Sequence, residues 1–172
     1  GYQHSVKALI KAAENRRLRG IIGPISSILT VRGGYEVAVE TALGFAMQNI
    51  VVENETAAKA AMAFLRDERA GRATFLPLDT VRPGYFDRAK LPEGASLASD
   101  LVGYDKRYEN IVTNLLGRIV VVDDINEASR AARQLDYRNR VVTKDGQVVN
   151  AGGSFTGGSV SKTAGLFSRK QE

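Results

Sequence analysis

Residues 150–159, Asn-Ala-Gly-Gly-Ser-Phe-Thr-Gly-Gly-Ser, hold four of the chain's 17 glycines within seven positions. Such density marks backbone that turns sharply or is closely approached by something. Exposed N–H groups in a glycine-rich loop can cradle a phosphate, so anion or nucleotide binding is one chemistry to weigh. The spacing argues against it. If Lys162-Thr163 were the Lys-Thr of a P-loop, glycine would be needed at 161 and 156, where the chain has Ser161 and Thr156. Only 14 residues follow Gly158, too few for the roughly 30-residue unit that binds a dinucleotide. Structural turns and close contact with another protein chain are the stronger readings.

Asp123-Asp124 could serve acid/base chemistry or hold Mg²⁺. The pair lies between a β-branched run and an Ala-rich stretch, with Glu127 three residues after Asp124, which is the pattern of a helix cap. Glu53-Asn54 stands at the equivalent place earlier in the chain and supports capping. Ser154, Ser159 and Ser161 have no base in view to activate them. Cysteine is absent, and the one histidine, His4, lies by the terminus on a predicted surface helix. Disulfides, thiolate metal sites, cysteine nucleophiles, histidine metal clusters and Ser/His/Asp triads are thereby excluded. The expectation is no catalytic residue and no metal site.

Arg16, Arg17 and Arg19 form one basic patch, and Lys162, Arg169 and Lys170 form another. Brought together they could contact phosphates; apart they are solvated faces. The net charge of +5 is spread almost evenly, +3 over residues 1–86 and +2 over 87–172, so no basic tail dominates. Phe75, Tyr85, Phe86 and Tyr104 are not interleaved with Lys or Arg as a base-stacking platform would be. With 172 residues, 44% of them hydrophobic, the chain can fold without staples. No apolar run approaches the roughly 20 residues of a membrane span, and no signal peptide pattern opens it. A soluble, cytoplasmic protein is expected, and Gly1 in place of Met suggests a piece of a longer one.

These residues sit on a repeated scaffold. Residues 35–44 (YEVAVETALG) and 108–117 (YENIVTNLLG), offset by 73, agree at five of ten positions. Ile111, Val112, Leu115 and Leu116 make a helical stripe, and the closing glycines suit the left-handed residue that ends a helix. Each copy is followed by a β-branched run, 50–54 and 120–124, and then by an Ala-rich helix, Ala57 to Leu65 and Ala128 to Leu135. Strands are predicted next at 72–76 and 140–143. Strand, helix, strand makes a parallel βαβ crossover in each copy. The fold class is therefore α/β: two pseudo-repeated lobes, lobe I over 20–80 and lobe II over 96–160. A Pro/Gly-punctuated connection spans 81–95. Residues 1–19 form a helical arm, with Val6, Leu9, Ile10 and Ala13 at helical spacing, and 161–172 lead out again.

Gly71-Arg72-Ala73-Thr74-Phe75-Leu76-Pro77-Leu78-Asp79, the Leu-Gly stops before Ile-Val-Val runs, Val141-Val142-Thr143-Lys144-Asp145-Gly146 and Gly152-Gly153-Ser154-Phe155-Thr156-Gly157-Gly158 together resemble the hinge domain of SMC (structural maintenance of chromosomes) proteins, of the bacterial and archaeal type. The likeness implies a non-catalytic module midway along a coiled coil. ATP and Mg²⁺ would belong to head domains outside this chain, and the hinge itself would need no cofactor. It also implies a ring-shaped homodimer in which lobe I of one chain meets lobe II of its partner. The interface would fall on Gly152, Gly153, Gly157 and Gly158, with Phe155 as the apolar anchor. Sequence-independent DNA contact through the two basic patches, accessory subunits of the full-length complex, no membrane partner and a place on the nucleoid follow from the same likeness. Ser161-Lys162-Thr163 departs from the run of lysines frequent after this glycine segment in bacterial relatives, and Ser5 stands where glycine is expected. The reading opposed to it is a stand-alone α/β enzyme or anion- or nucleotide-binding protein using the glycine-rich loop.

Overall fold

A computed structural model describes residues 1–159 and Phe167. The other residues of the exit segment, with Lys162, Arg169 and Lys170 among them, lie outside the described residues. The first half runs α1 (His4–Glu14), β1 (Ile21–Pro24), α2 (Ile25–Ile28), β2 (Thr30–Val31), α3 (Glu36–Leu43), a 3₁₀ turn at Gly44–Gln48, β3 (Ile50–Val52), α4 (Glu55–Asp67) and β4 (Phe75–Pro77). The second half runs β5 (Ser96–Leu97), β6 (Val102–Gly103), α5 (Glu109–Leu116), β7 (Val120–Val122), α6 (Ile125–Gln134), β8 (Val141–Thr143), β9 (Val148–Val149) and β10 (Phe155–Thr156).

The two crossovers predicted from the repeat are present, since β3 pairs parallel with β4 and β7 parallel with β8. Their helices begin where the caps were read. The Asn54 carboxamide oxygen accepts from the Ala57 N–H at 2.8 Å, and the Asp124 carboxylate accepts from the Glu127 N–H at 2.9 Å. Glu127 reaches back to the Asp123 N–H at 3.1 Å, so the Asp124 carboxylate and the Asp123 backbone are occupied in starting α6. Asp124→Asn keeps the accepting oxygen and is expected to leave stability unchanged. Asp124→Ala is expected to cost about 1 kcal/mol in urea unfolding. An activity lost in the Asn variant at full stability would overturn the structural role.

The repeat extends further upstream than the sequence indicated. β1 pairs antiparallel with β3, and β5 antiparallel with β7. β2 and β6, equivalent strands of the two copies, pair antiparallel with each other, Thr30 opposite Gly103 and Val31 opposite Val102. The copies are thus stitched together at their shared centre. Three sheets result, in orders β1-β3-β4, β2-β6 and β10-β9-β8-β7-β5.

Because alternate residues of a strand face opposite sides, β3 and β7 each serve two cores. Val51 and Val121 face a central cluster with Ala38, Val39, Ile111, Val112 and Leu116 of α3 and α5, to which Phe167 also contributes. Ile50 and Val52 face α1 and α4, while Val120 and Val122 face α6. The order of layers is therefore helix, sheet, helix, sheet, helix, with α3 and α5 in the middle.

Three expectations need adjustment. The strand expected at 72–76 starts at Phe75, because pairing begins at Ile50 opposite Phe75. The α1 face is turned slightly from the one read: Ser5, Val6, Leu9 and Ala12 are buried, and Ile10 and Ala13 only partly. Gly44 ends α3 at positive φ, +54°, but with ψ −131° rather than the left-handed helical value, and Gly117 ends α5 at φ −72°. Gly117 is required for space instead, since a Cβ there would stand 2.5 Å from the Thr113 carbonyl oxygen.

That carbonyl is crowded from a second side. The Gly84 N–H in the connection donates to Thr113 Oγ1 at 3.2 Å, and a Cβ at Gly84 would overlap the Thr113 carbonyl oxygen and lie 3.0 Å from its carbon. Backbone on backbone leaves little room to yield. Gly84→Ala is expected to lower unfolding free energy by about 1–3 kcal/mol. An unchanged urea midpoint would show that the 82–84 strap shifts freely.

Candidate dimer interface

The glycine-rich segment is placed by the hairpin before it. β8 and β9 pair antiparallel, Val141 opposite Val149 and Val142 opposite Val148. Their turn is closed by the buried Thr143, whose Oγ1 accepts from the Gln147 N–H at 2.9 Å, and by Gly146 at φ +89°. β10 then folds back on β9, Phe155 opposite Val149 and Thr156 opposite Val148.

Side chains fix the intervening turn. Asn150 donates its N–H to the Ser154 carbonyl at 2.7 Å, and its Nδ2 donates to Thr156 Oγ1 at 3.0 Å. Gly152 donates its N–H to the Tyr137 carbonyl at 2.8 Å, and Gly153 to the Asn150 carbonyl at 3.0 Å. Past β10, Gln147 substitutes for a strand neighbour: its Oε1 accepts from the Gly158 N–H at 2.8 Å, and its Nε2 donates to the Gly158 carbonyl at 3.0 Å.

These bonds bear on the anion-loop reading. The N–H groups of Gly152, Gly153 and Gly158 all point into the chain's own acceptors, so none of the three is free to hold a phosphate. The glycines are needed for other reasons. Gly152, Gly153 and Gly158 have φ of +90°, +102° and +128°, values that L side chains rarely adopt. A Cβ at Gly157 would collide with the Gln147 side chain.

What the segment presents outward is a sheet edge. Among the described residues β10 is the last strand of its sheet, and residues 154–159 are exposed. The Asn150–Ser154 bond makes that pair a hydrogen-bonded one, so Phe155 and Val149 form the next, non-hydrogen-bonded pair. The Phe155 N–H and C=O therefore point away from β9 toward the open edge, and its ring is 58% exposed. An unpaired edge with an apolar side chain is a template for another strand.

The basic residues are less uniform than their spacing suggested. Arg17 pairs with Glu68 at 2.7 Å and stacks on the Phe64 ring at 5.1 Å, so part of its charge is already balanced. Arg16, in the left-handed region at φ +63°, and Arg19 are exposed. Their intended partners Lys162, Arg169 and Lys170 lie outside the described residues. Described residues near both ends contact the 26–48 segment. Tyr2 Oη bonds Ser26 Oγ at 2.7 Å, and the Gln3 N–H donates to Gln48 Oε1 at 2.6 Å. The Phe167 N–H donates to Glu40 Oε1 at 2.8 Å. No helix among the described residues is long and apolar enough to cross a membrane.

Sequence reasoning missed Gln147 and Tyr137 and the bonding role of Asn150, because each acts through a contact that only the folded hairpin creates. It also missed Arg140, which precedes β8 and donates across the halves to the Ala42 and Thr41 carbonyls at 2.8 and 3.1 Å.

Comparison with known proteins gives a consistent picture. The family model for the flexible hinge domain of SMC proteins matches residues 18–132. The chromosome partition protein Smc of Bacillus subtilis is 37% identical and that of Desulfitobacterium hafniense 40% identical, each over the whole of this chain. The chain spans about 15% of the length of those relatives. Among solved structures, an asymmetric dimer of the Geobacillus stearothermophilus SMC hinge domain matches with a TM-score of 0.91 at 42% identity, covering 99% of this chain and 70% of that one. The Pyrococcus furiosus SMC hinge domain matches with a TM-score of 0.76 at 32% identity, covering 92% of this chain and 81% of that one. The chain belongs to the family of SMC hinge domains.

Proposed function

We infer that this chain is the non-catalytic dimerisation hinge of a chromosome-organising ATPase, forming a homodimer through the glycine-rich edge. One observation supports this reading: β10 turns the Phe155 N–H and C=O toward an open sheet edge among the described residues and leaves its side chain exposed, beside a turn in which the Gly152, Gly153 and Gly158 N–H groups are already bonded. Gly152, Gly153, Gly157 and Gly158 flank that edge without side chains, so a partner backbone can come close. A contact of one half with the opposite half of a second chain, made twice about a two-fold axis, closes a ring. ATP and Mg²⁺ act in head domains elsewhere in the full-length protein, accessory subunits join the full-length complex, and the assembly works on the nucleoid. The chain ends support this placement, since Tyr2, Gln3 and Phe167 all touch the 26–48 region and both coiled-coil strands would leave from one side. Chains carrying two different tags, coexpressed, are expected to co-purify; failure to do so contradicts the homodimer.

DNA contact belongs to the same reading and falls on Arg16, Arg17 and Arg19 with Lys162, Arg169 and Lys170. It is directed at phosphates, because no helix or strand among the described residues is arranged to read bases. Binding is expected to be indifferent to sequence and to weaken steeply with salt. Replacing Arg16 and Arg19 by Gln is expected to reduce the log–log salt slope by about 0.7 to 0.9 for each phosphate no longer neutralised. Fluorescence anisotropy over a salt series reads this directly, and an unchanged slope would make the patch a solvated face.

A further inference from the structure

α3 lies in the middle layer with Ala38, Val39, Ala42 and Leu43 buried, and Glu40 among them is buried as well, at 6% exposure. A carboxylate is not carried into such a place without groups that bond it. One of those groups comes from the far end of the chain, where the Phe167 N–H donates to Glu40 Oε1 at 2.8 Å. The Phe167 side chain, 2% exposed, enters the central cluster that both halves share.

The second copy repeats the arrangement. Glu40 and Thr113 stand at the same position of the repeated helix, separated by the offset of 73. Thr113 also receives a backbone N–H from a distant segment, that of Gly84 in the 81–95 connection. Val81, just before Gly84, packs on the same central cluster as Phe167. The segment that follows β4 thus crosses onto α5 of the second half, and the segment that follows β10 crosses onto α3 of the first.

Sizes match at each contact. Thr113 has a short side chain, and the residue it receives is a glycine so close that a Cβ would overlap the Thr113 carbonyl oxygen. Glu40 reaches further from its helix and receives a phenylalanine, whose ring needs that room. The acceptor on each middle-layer helix is therefore fitted to the segment that crosses onto it.

We propose that Glu40 is a positioning residue for the outgoing arm: it docks the exit segment on α3 at Phe167, as Thr113 docks the connection on α5 at Gly84. That the segment leads into an arm rests on the hinge reading above, whereas the docking itself needs no second copy. The arm then starts from the middle layer that both halves share, rather than from the β10 edge. Amide hydrogen exchange read by mass spectrometry on the 172-residue chain tests this. In the wild type, the peptide containing Phe167 is expected to exchange well below the free-chain rate. Glu40→Leu is expected to speed that peptide by about tenfold or more and to leave the peptide containing Gly84 unchanged. Thr113→Val is expected to do the reverse, and Glu40→Gln, which keeps an accepting oxygen, to retain most of the protection. A wild-type Phe167 peptide at the free-chain rate overturns the proposal, whether or not the variants fold. So does a Glu40→Leu chain with unchanged exchange at Phe167, or one in which both peptides speed up alike. A chain that shows the expected pattern but stays monomeric in sedimentation upholds the docking and overturns the hinge reading alone.

Discussion

Gly153→Glu is expected to yield a folded chain that no longer dimerises at micromolar concentration. The substitution has a modest cost within the chain. A Cβ at 153 would lie 3.6 Å from the Tyr137 ring, an ordinary contact, and the strain of a side chain at φ +102° is about 1–2 kcal/mol. At the proposed interface the cost is larger, because a carboxylate would be carried into a close backbone contact. Burying an unpaired charge costs about 3–5 kcal/mol, equivalent to roughly two to almost four orders of magnitude in dissociation constant. Gly157→Glu should have the same effect on assembly but a greater one on the fold, since Gln147 would have to release Gly158. Far-ultraviolet circular dichroism with molar mass in solution separates the two effects. A Gly153→Glu chain that dimerises like wild type would move the interface away from this turn.

Arg140→Met is expected to lower unfolding free energy by about 2–4 kcal/mol at fixed chain concentration. Arg140 comes from the second half and caps a helix of the first, donating to two carbonyls that have no partner within α3. Burial pushes its guanidinium below the ordinary arginine value, yet the group stays cationic and sits where the negative end of the helix dipole favours it. Each hydrogen bond from a charged donor is worth about 1.5–3 kcal/mol net, and relief of the buried charge offsets part of that sum. Arg140→Lys keeps the charge but not the two-pronged geometry, and should recover less than half. Lys144 reinforces the same junction by lying 4.7 Å from the centre of the Tyr35 ring, at the other end of α3. Equal urea midpoints for Arg140→Met and wild type would mean that the halves are held together by their shared apolar core alone.

Much of the scaffold was legible because it rests on local signals. The Val-rich runs at 50–52 and 120–122 are buried throughout, and the helices after them start at side-chain caps, so β-branching and capping residues identify both crossovers. The four-residue β1 and the two-residue β2, β5 and β6 were not legible in the same way. β2 exists because Thr30 faces Gly103, 73 residues away, and no local pattern announces a pairing at that distance. Gly117 was misread for a related reason: a glycine needed to clear the Thr113 carbonyl looks, in sequence, like one needed for a left-handed turn.

The site divides along the same line. Composition alone singled out residues 150–158, because nothing else in the chain concentrates glycine so strongly. Whether those glycines expose N–H groups or consume them depends on Gln147, Asn150 and Tyr137, whose roles arise only when β9 and β10 fold together.

A hinge of this kind requires that two copies of the chain associate without any ligand. Sedimentation velocity of the purified wild-type chain, from submicromolar to tens of micromolar, measures that property directly. The expected result is a species of twice the chain mass that persists across the micromolar range and in high salt, because the proposed contact uses backbone and apolar groups rather than ion pairs. A monomer at every concentration would contradict the homodimer, and would leave the open edge of β10 without a second copy to pair with.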